Sequence, residues 1–509
     1  MKVRLEQFEG LCAELQDSVD AAKARLGSVC NHSNPSSCLP TEILSHIMEN
    51  VCSGSQKYPL GLEGLRMEVY LSHVCRRWRD VAIATPTLWT NIEGPEFSGH
   101  MRTMRTVVYL ARSRKRLIDV SLFISADPFG IPRANWGQDF LKTIVPHSGR
   151  WRSFTLQCPE EYDDHEAEDI IIDALANISV PQLKSLDLFI NLPDPGTDDS
   201  KPYIFLQATP RLSRLRLDAT TTHWFIAPMN TITALTVHSS GASIPCLDLF
   251  GFPNLRHLDI TRNKEYTYCP IKFVPPFRDL RHSNEVVTTR LVSLRLPIYD
   301  LPLFCEISPC LRVSLQNLQY LYLFDLDHFD DSDDDSYSDD DYVRPDSEWR
   351  EWPDRLQELF NDDEFDEDLF PSLEHLSIDL GSMKPSSSIN ASSLCRLTKN
   401  ISTLTVINGC IAPDTISGDG GVAWPRLRIV QFQNLPERIE ECRKLVAWLA
   451  ECGCRSDGTL SVALPARQVE RLERSRNLQK EVQEMKTVVC LETTSVRYGD
   501  SWPPEDNSL

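Results

Sequence analysis

No CxxC pair occurs among the 16 cysteines, which scatter from Cys12 to Cys490 without a cluster at metal-ligand spacing. A disulfide framework or a structural zinc site is therefore not expected, and the pattern is that of reduced core thiols. No apolar run approaches the roughly 18 residues that a membrane span needs. The opening stretch Met1 to Glu9 places acids where a signal peptide requires uninterrupted apolar residues. The expectation is a chain of the cytoplasm and/or nucleus with no membrane contact, in which the Asn-x-Ser sequons at Asn31, Asn177, Asn390 and Asn400 are chance. No basic stripe with interleaved aromatics is present, so nucleic acid is not expected as a partner. Catalytic signatures are missing as well: there is no Walker lysine, nucleophile elbow or kinase signature.

Charge is uneven. The formal net charge is −21, but residues 325–368 alone hold 21 Asp/Glu against three Arg, a net −18, which leaves −3 for the rest of the chain. The acidity is thus local, while an apolar content of 41% is enough for a large core.

Along residues 1–27, Leu5, Phe8, Leu11, Leu15, Val19, Ala22 and Leu26 recur at steps of three and four, which predicts a helix with one apolar stripe (domain 1–30). The favoured reading folds that stripe back on the chain's own body; the alternative is a coiled-coil dimer. After a polar linker from Asn31 to Ser37, a second helix begins near Leu39-Pro40, with Ile43, Leu44, Ile47 and Val51 on one face and Pro40 in the first turn. Beyond a looser stretch from Ser53 to Gly64, Leu71, Val74, Cys75, Trp78, Val81 and Ala82 form another stripe. A short turn then opens with Thr85 placed to cap and Pro86 at its first position.

After Glu93 the period changes. The hexad apolar-x-x-apolar-x-apolar starts at Leu183, Leu212, Ile232, Leu255, Leu291, Leu318, Leu373 and Ile401, with degenerate copies at Trp151 and Leu427. Its last three positions alternate as a half-buried strand must. Most successive starts lie near the 20–29 residue period of leucine-rich repeats. One strand with two inward side chains cannot bury itself, whereas a stack shares a continuous core behind one exposed parallel sheet. Asn191 and Asn263 occupy the ninth position of two copies, where such repeats favour an Asn that bonds loop backbone. The tail (436–509) is expected to cap the stack, with helices over Pro436 to Glu451 and Pro465 to Lys480 and a last strand at Thr487 to Leu491.

Taken together, Leu39-Pro40-x-Glu42-Ile43-Leu44-x-x-Ile47 and Val74-Cys75-Arg76-x-Trp78-Arg79-x-Val81-Ala82, followed by Pro86-x-Leu88-Trp89, closely resemble an F-box (37–93). In this order, ahead of leucine-rich repeats (100–435), the layout is similar to that of fungal F-box proteins with such repeats. The resemblance implies an α/β architecture: a short helical F-box bundle, then an irregular leucine-rich-repeat horseshoe with a parallel sheet on its concave face, and a helical and strand C-terminal cap. It also implies docking to the Skp adaptor and through it to a cullin and a RING subunit, with an unidentified target protein held by the repeats. Leu39, Pro40, Ile43, Leu44 and Ile47 would contact the Skp adaptor from the first helix, and Leu71, Val74, Cys75 and Trp78 from the second. The segment between the two helices is longer than in the compact form of the motif. On this reading the chain is a non-catalytic receptor subunit of a ubiquitin ligase, without cofactor or metal.

The acidic run Asp330 to Asp341 repels itself and has little to bury, so a solvated disordered insert (325–368) is expected. The sharper readings are a lure for basic target segments, or phosphorylation at Ser332 and Ser338, which precede acids. Trp349, Trp352, Leu356, Leu359 and Phe360 pack locally or form a short docking helix. Asp163 to Asp169 surround His165 but lack HExxH spacing. Gly418 to Ala423 precede a strand where a dinucleotide loop precedes a helix, and Cys452 and Cys454 stand without His or Cys partners nearby.

Overall fold

Helices come first and strands follow, as the change from three-and-four spacing to strict alternation dictates. The computed structural model describes residues 2–32, 38–55, 66–94, 99–123, 134–157, 173–189, 205, 209–218, 229–239, 246–247, 252–262, 272–273, 290–297, 315–324, 370–379, 398–407, 424–433, 461–465 and 490–494. Two compact units share the chain: Met1–Phe123 with Ile131–Phe154, and Ile124–Gly130 with Thr155–Leu509.

In the first unit, α1 (Lys2–His32) runs past the expected linker boundary. Its stripe does not fold back on the body: Phe8, Leu11, Leu15, Val19 and Leu26 are 46–66% exposed. The reason lies in its width, since the residues of the stripe form a narrow seam, interrupted by small Ala22, while a body-packed helix presents a broader apolar face.

The helix α2 (Thr41–Ser55) starts one residue after Pro40, whose carbonyl accepts the first helical bond from the Leu44 N–H at 3.0 Å. Pro40 is therefore a cap residue and not part of the first turn. One helix was expected across Leu71 to Ala82, but the chain forms α3 (Met67–His73) and α4 (Arg76–Ala84), with Cys75 extended between them. No Gly or Pro marks this break. It is held by Arg79, whose Nε donates to the Ser72 carbonyl at 3.1 Å and so satisfies an orphan acceptor at the end of α3. Pro86 does open the turn Pro86–Trp89, yet Thr85 caps nothing with its side chain. Its hydroxyl donates back to the Val81 carbonyl at 2.8 Å and, having spent its proton there, accepts from Ser45 Oγ at 2.9 Å.

The remaining elements of this unit are β1 (Asn91–Glu93), α5 (Gly99–Arg112), β2 (Ile118–Phe123), α6 (Ala134–Ile144) and the start of β3 (Trp151–Gln157). The strand β1 pairs in parallel with β2, so a strand already lies inside the segment expected to be helical through residue 93. A Cβ on Gly94, just past β1, would stand 2.6 Å from Leu122 Cδ1, so a larger residue there displaces that side chain. Arg152 clasps Asp119 of β2 through both Nε and Nη2, and Ser153 donates to the same carboxylate at 2.6 Å.

In the second unit every hexad from Leu183 to Leu427 becomes a strand, and four further strands join them. In chain order the strands are β4 (Ser185–Phe189), β5 (Arg214–Asp218), β6 (Ala234–Ser239), β7 (Cys246–Leu247), β8 (His257–Arg262), β9 (Lys272–Phe273), β10 (Ser293–Pro297), β11 (Tyr320–Phe324), β12 (His375–Asp379), β13 (Thr403–Ile407), β14 (Ile429–Gln433), β15 (Ser461–Pro465) and β16 (Cys490–Thr494), of which β7, β9, β15 and β16 carry no hexad. Apart from β7 and β9, which pair only with each other, they lie side by side in chain order, each parallel to the next. The hexad leucines Leu183, Leu186 and Leu188 and their counterparts down the stack form the core, each fully or almost fully buried.

Ahead of most hexads stands a tight turn in which the leading residue's N–H bonds the carbonyl three positions back, as from Leu183 to Val180, Leu255 to Phe252 and Leu373 to Phe370. Pro181, Pro253 and Pro371 occupy its second position, for which proline is pre-set. Asn254 and Asn400 link one turn to the previous one by donating to the carbonyls of Asn230 and Pro371. The expected Asn191 and Asn263 lie outside the described residues.

The tail differs from its expectation. Both β15 and β16 continue the sheet, so this segment extends the stack. The last strand begins at Cys490, three residues after the expected start, and Pro465 closes β15 where a helix was expected to open. The rest of that helix, the helix over residues 436–451 and the acidic insert lie outside the described residues. Among the described residues, no helix is long and apolar enough to cross a membrane.

Candidate functional site

Two surfaces, one in each unit, carry the side chains that a partner would meet. On the helical bundle, α2 packs against α3, α4 and the Pro86–Trp89 turn. Leu44 and Met48, four residues apart, are fully enclosed, whereas Ile43 (48% exposed), Ile47 (40%) and Val51 sit at the same spacing on the outer flank. The single stripe read from sequence thus divides: Leu44, with Met48 beside it, holds the bundle, and Ile43, Ile47 and Val51 face solvent. Val74, at the break between α3 and α4, is 59% exposed; Cys75 and Trp78 are half-buried. Leu39 is half-buried and its carbonyl accepts from Arg77 Nη2, while Pro40 is exposed. Leu44 and Leu71 correct the expected docking set, because both lie inside the chain's own core and present no face to another protein.

Beneath this surface lies a buried polar cluster. Tyr109 of α5 donates to Glu68 of α3 at 2.6 Å. Arg66 stands 3.6 Å from Glu68 and 2.5 Å from Glu93, and Nη1 donates to the Asn91 carbonyl. Burial opposes the charge on Arg66, but Glu93 and Glu68 outweigh it and raise its pKa. Burial, with Glu68 alongside, pushes the Tyr109 hydroxyl well up, so it remains a donor. The Trp89 ring meets Tyr109 edge-on at 5.1 Å and carries Arg112 at 4.3 Å on its π system. Cys52 is no nucleophile: burial, then Glu68, pushes its thiol up to about 12.

The second surface is the sheet face opposite the leucine core. Strand register aligns one side chain per strand in a row: Asp187, Arg216, Thr236, Asp259, Arg295 and Tyr322. Each occupies the fifth position of its hexad, between the last two apolar residues, a signal present in the sequence once the hexads are aligned. Arg216 lies over the Phe189 ring at 4.6 Å, and Arg295 lies over Tyr322 at 4.9 Å and Phe324 at 5.2 Å. The Tyr322 hydroxyl donates to Asp379 at 3.3 Å. Asp259 is 6% exposed and only 3.7 Å from Arg295, yet its Oδ1 accepts no hydrogen bond. Burial raises its carboxyl to about 6 even with Arg295 and Arg216 nearby. Burial also raises Asp187, against Arg216 and a bond from Thr155. In the flanking row Tyr320 stacks flat on His375 at 4.6 Å, and His257 bonds Ser293 at 2.6 Å. The result is a band of arginine, aromatic and carboxylate groups fixed in position by strand register.

Ser332 and Ser338, the cluster around His165, the Gly418 to Ala423 loop and the Cys452 and Cys454 pair lie outside the described residues. Among the described residues, no group of three His, Cys, Asp or Glu side chains is placed to hold a metal ion. Compared with known proteins, the chain matches no family model and no curated protein.

Proposed function

We propose that the chain is the substrate-recognition subunit of a Skp-cullin-F-box type ubiquitin ligase, acting in the cytoplasm and/or nucleus. The helical bundle docks to the Skp adaptor, and the polar face of a leucine-rich-repeat horseshoe holds the target protein. The chemistry belongs to the partners: the chain raises the effective concentration of target lysines near a ubiquitin thioester, and geometry sets that concentration. The observation that carries the reading is the exposed apolar set Ile43, Ile47 and Val74, which stands out of a bundle already closed by Leu44 and Met48. Aliphatic anchors of this kind drive helix docking into a partner's groove.

The test is co-purification of the full chain with the Skp adaptor. The parent is expected to retain it. A variant carrying Ile43→Asp, Ile47→Asp and Val74→Asp, with its melting temperature unchanged, is expected to lose it; retention by that folded variant refutes the docking assignment. Target half-life, compared with and without residues 37–93, then separates a ligase receptor from an interaction scaffold, since only the former predicts a longer-lived target after deletion.

A further inference from the structure

The narrow seam on α1 has the geometry of a two-stranded coiled coil. Phe8, Cys12, Leu15, Val19, Ala22 and Leu26 follow one another at alternating steps of four and three, a period of 3.5, and each is exposed. A helix meant for its own globule repeats at 3.6 and shows a wider apolar face, whereas strict spacing of 3.5 keeps the seam turned toward a second helix along its length. An antiparallel pairing of two copies gives complementary layers: Phe8 against Leu26, Cys12 against Ala22 and Leu15 against Val19, so that large residues meet large ones and small meet small. The positions flanking the seam agree. In that alignment Glu9 of one copy stands beside Lys23 of the other, twice by symmetry, and Gln16 faces Gln16, with no like-charge pair among the described residues. A parallel alignment sets Lys23 against Ser18 and Gln16 against Leu11, so that Lys23 has no charged partner.

We infer that α1 is a homodimerisation helix, and that its partner is the same helix of a second copy running antiparallel. The two-fold operation makes the interface self-complementary, so the protein presents two copies of each remaining surface. This inference does not rest on ligase function.

The experiment uses the full chain and measures mass in solution by light scattering or sedimentation equilibrium. The parent is expected at twice the chain mass of 58.0 kDa. Val19→Asp is expected to give monomers with an unchanged melting temperature for the rest of the chain, because Val19 touches solvent in the single copy. Glu9→Lys alone and Lys23→Glu alone are each expected to raise the dimer dissociation constant roughly tenfold, and the double exchange to restore it. A monomeric parent, a dimer that survives Val19→Asp, or single exchanges without effect overturns the inference; the last result specifically excludes the antiparallel alignment.

Discussion

The Tyr109 hydroxyl donates to Glu68 at 2.6 Å across 41 residues of sequence, and both groups are buried. This bond joins α5, the first helix beyond the bundle, to α3 within it. Tyr109→Phe keeps the ring on Trp89 and removes only the donor, leaving a buried carboxylate short of a partner. The expected loss is about 1–3 kcal/mol of stability, read as a lower urea midpoint; an unchanged midpoint would show that Arg66 alone satisfies Glu68.

Leu44 and Ile43 are adjacent, yet they answer to different constraints. Leu44→Ala is expected to cost about 2–5 kcal/mol because it opens a cavity in the bundle. Ile43→Ala, at a half-exposed site, is expected to cost less than about 1 kcal/mol. Thermal melts of the two variants check the contrast, and equal losses would contradict the division of the α2 stripe.

Asp259 makes stability depend on pH in the direction opposite to a well-paired carboxylate. Its folded value near 6 lies above the ordinary 3.8, so the folded state holds the proton more tightly than the unfolded chain. The stabilisation from this group is complete below about pH 4 and is lost as pH rises through 6, by at most roughly 3 kcal/mol. Asp259→Asn cannot titrate. Its stability relative to the parent is expected to rise between pH 4 and 6 and to level off above, as urea midpoints across that range would show. A difference independent of pH would remove this account.

Arg114 adopts a left-handed backbone (φ 52°) just past the end of α5, a conformation that side chains resist. The residue is exposed. Arg114→Gly is expected to raise stability by about 0.5–1 kcal/mol, measured by melting temperature, and a decrease would mean that the arginine side chain has a stabilising role of its own.

How far the sequence could be read depended on whether a local rule had a local cause. The hexads from Leu183 to Leu427 all became strands because alternation is enforced wherever one sheet face is buried. The strand at Ser461 carries no complete hexad, because its lead position is Thr459 instead of an apolar residue, although the sheet continues through it. The break at Cys75 had no Gly or Pro to announce it, and is held by a bond from Arg79 to Ser72 that periodicity does not reveal. On α2, spacing placed Leu44 and Ile43 on one stripe. Which of them faces inward follows from α3 and α4, and only tertiary structure decides it. The Pro that precedes several hexads and the polar fifth position within them were legible, but only after the copies were aligned by their leucines.

The pairing of β11 with β12 remains in full register, Tyr320 beside His375 through to Phe324 beside Asp379, although residues 325–374 intervene. In a ladder whose strands touch only their predecessor and successor, the length of a connection is decoupled from the order of the rungs. Such a chain can acquire, lose or rewrite its intervening segments while the row from Asp187 to Tyr322 stays in line, so its loops are free to diverge faster than the surface they connect.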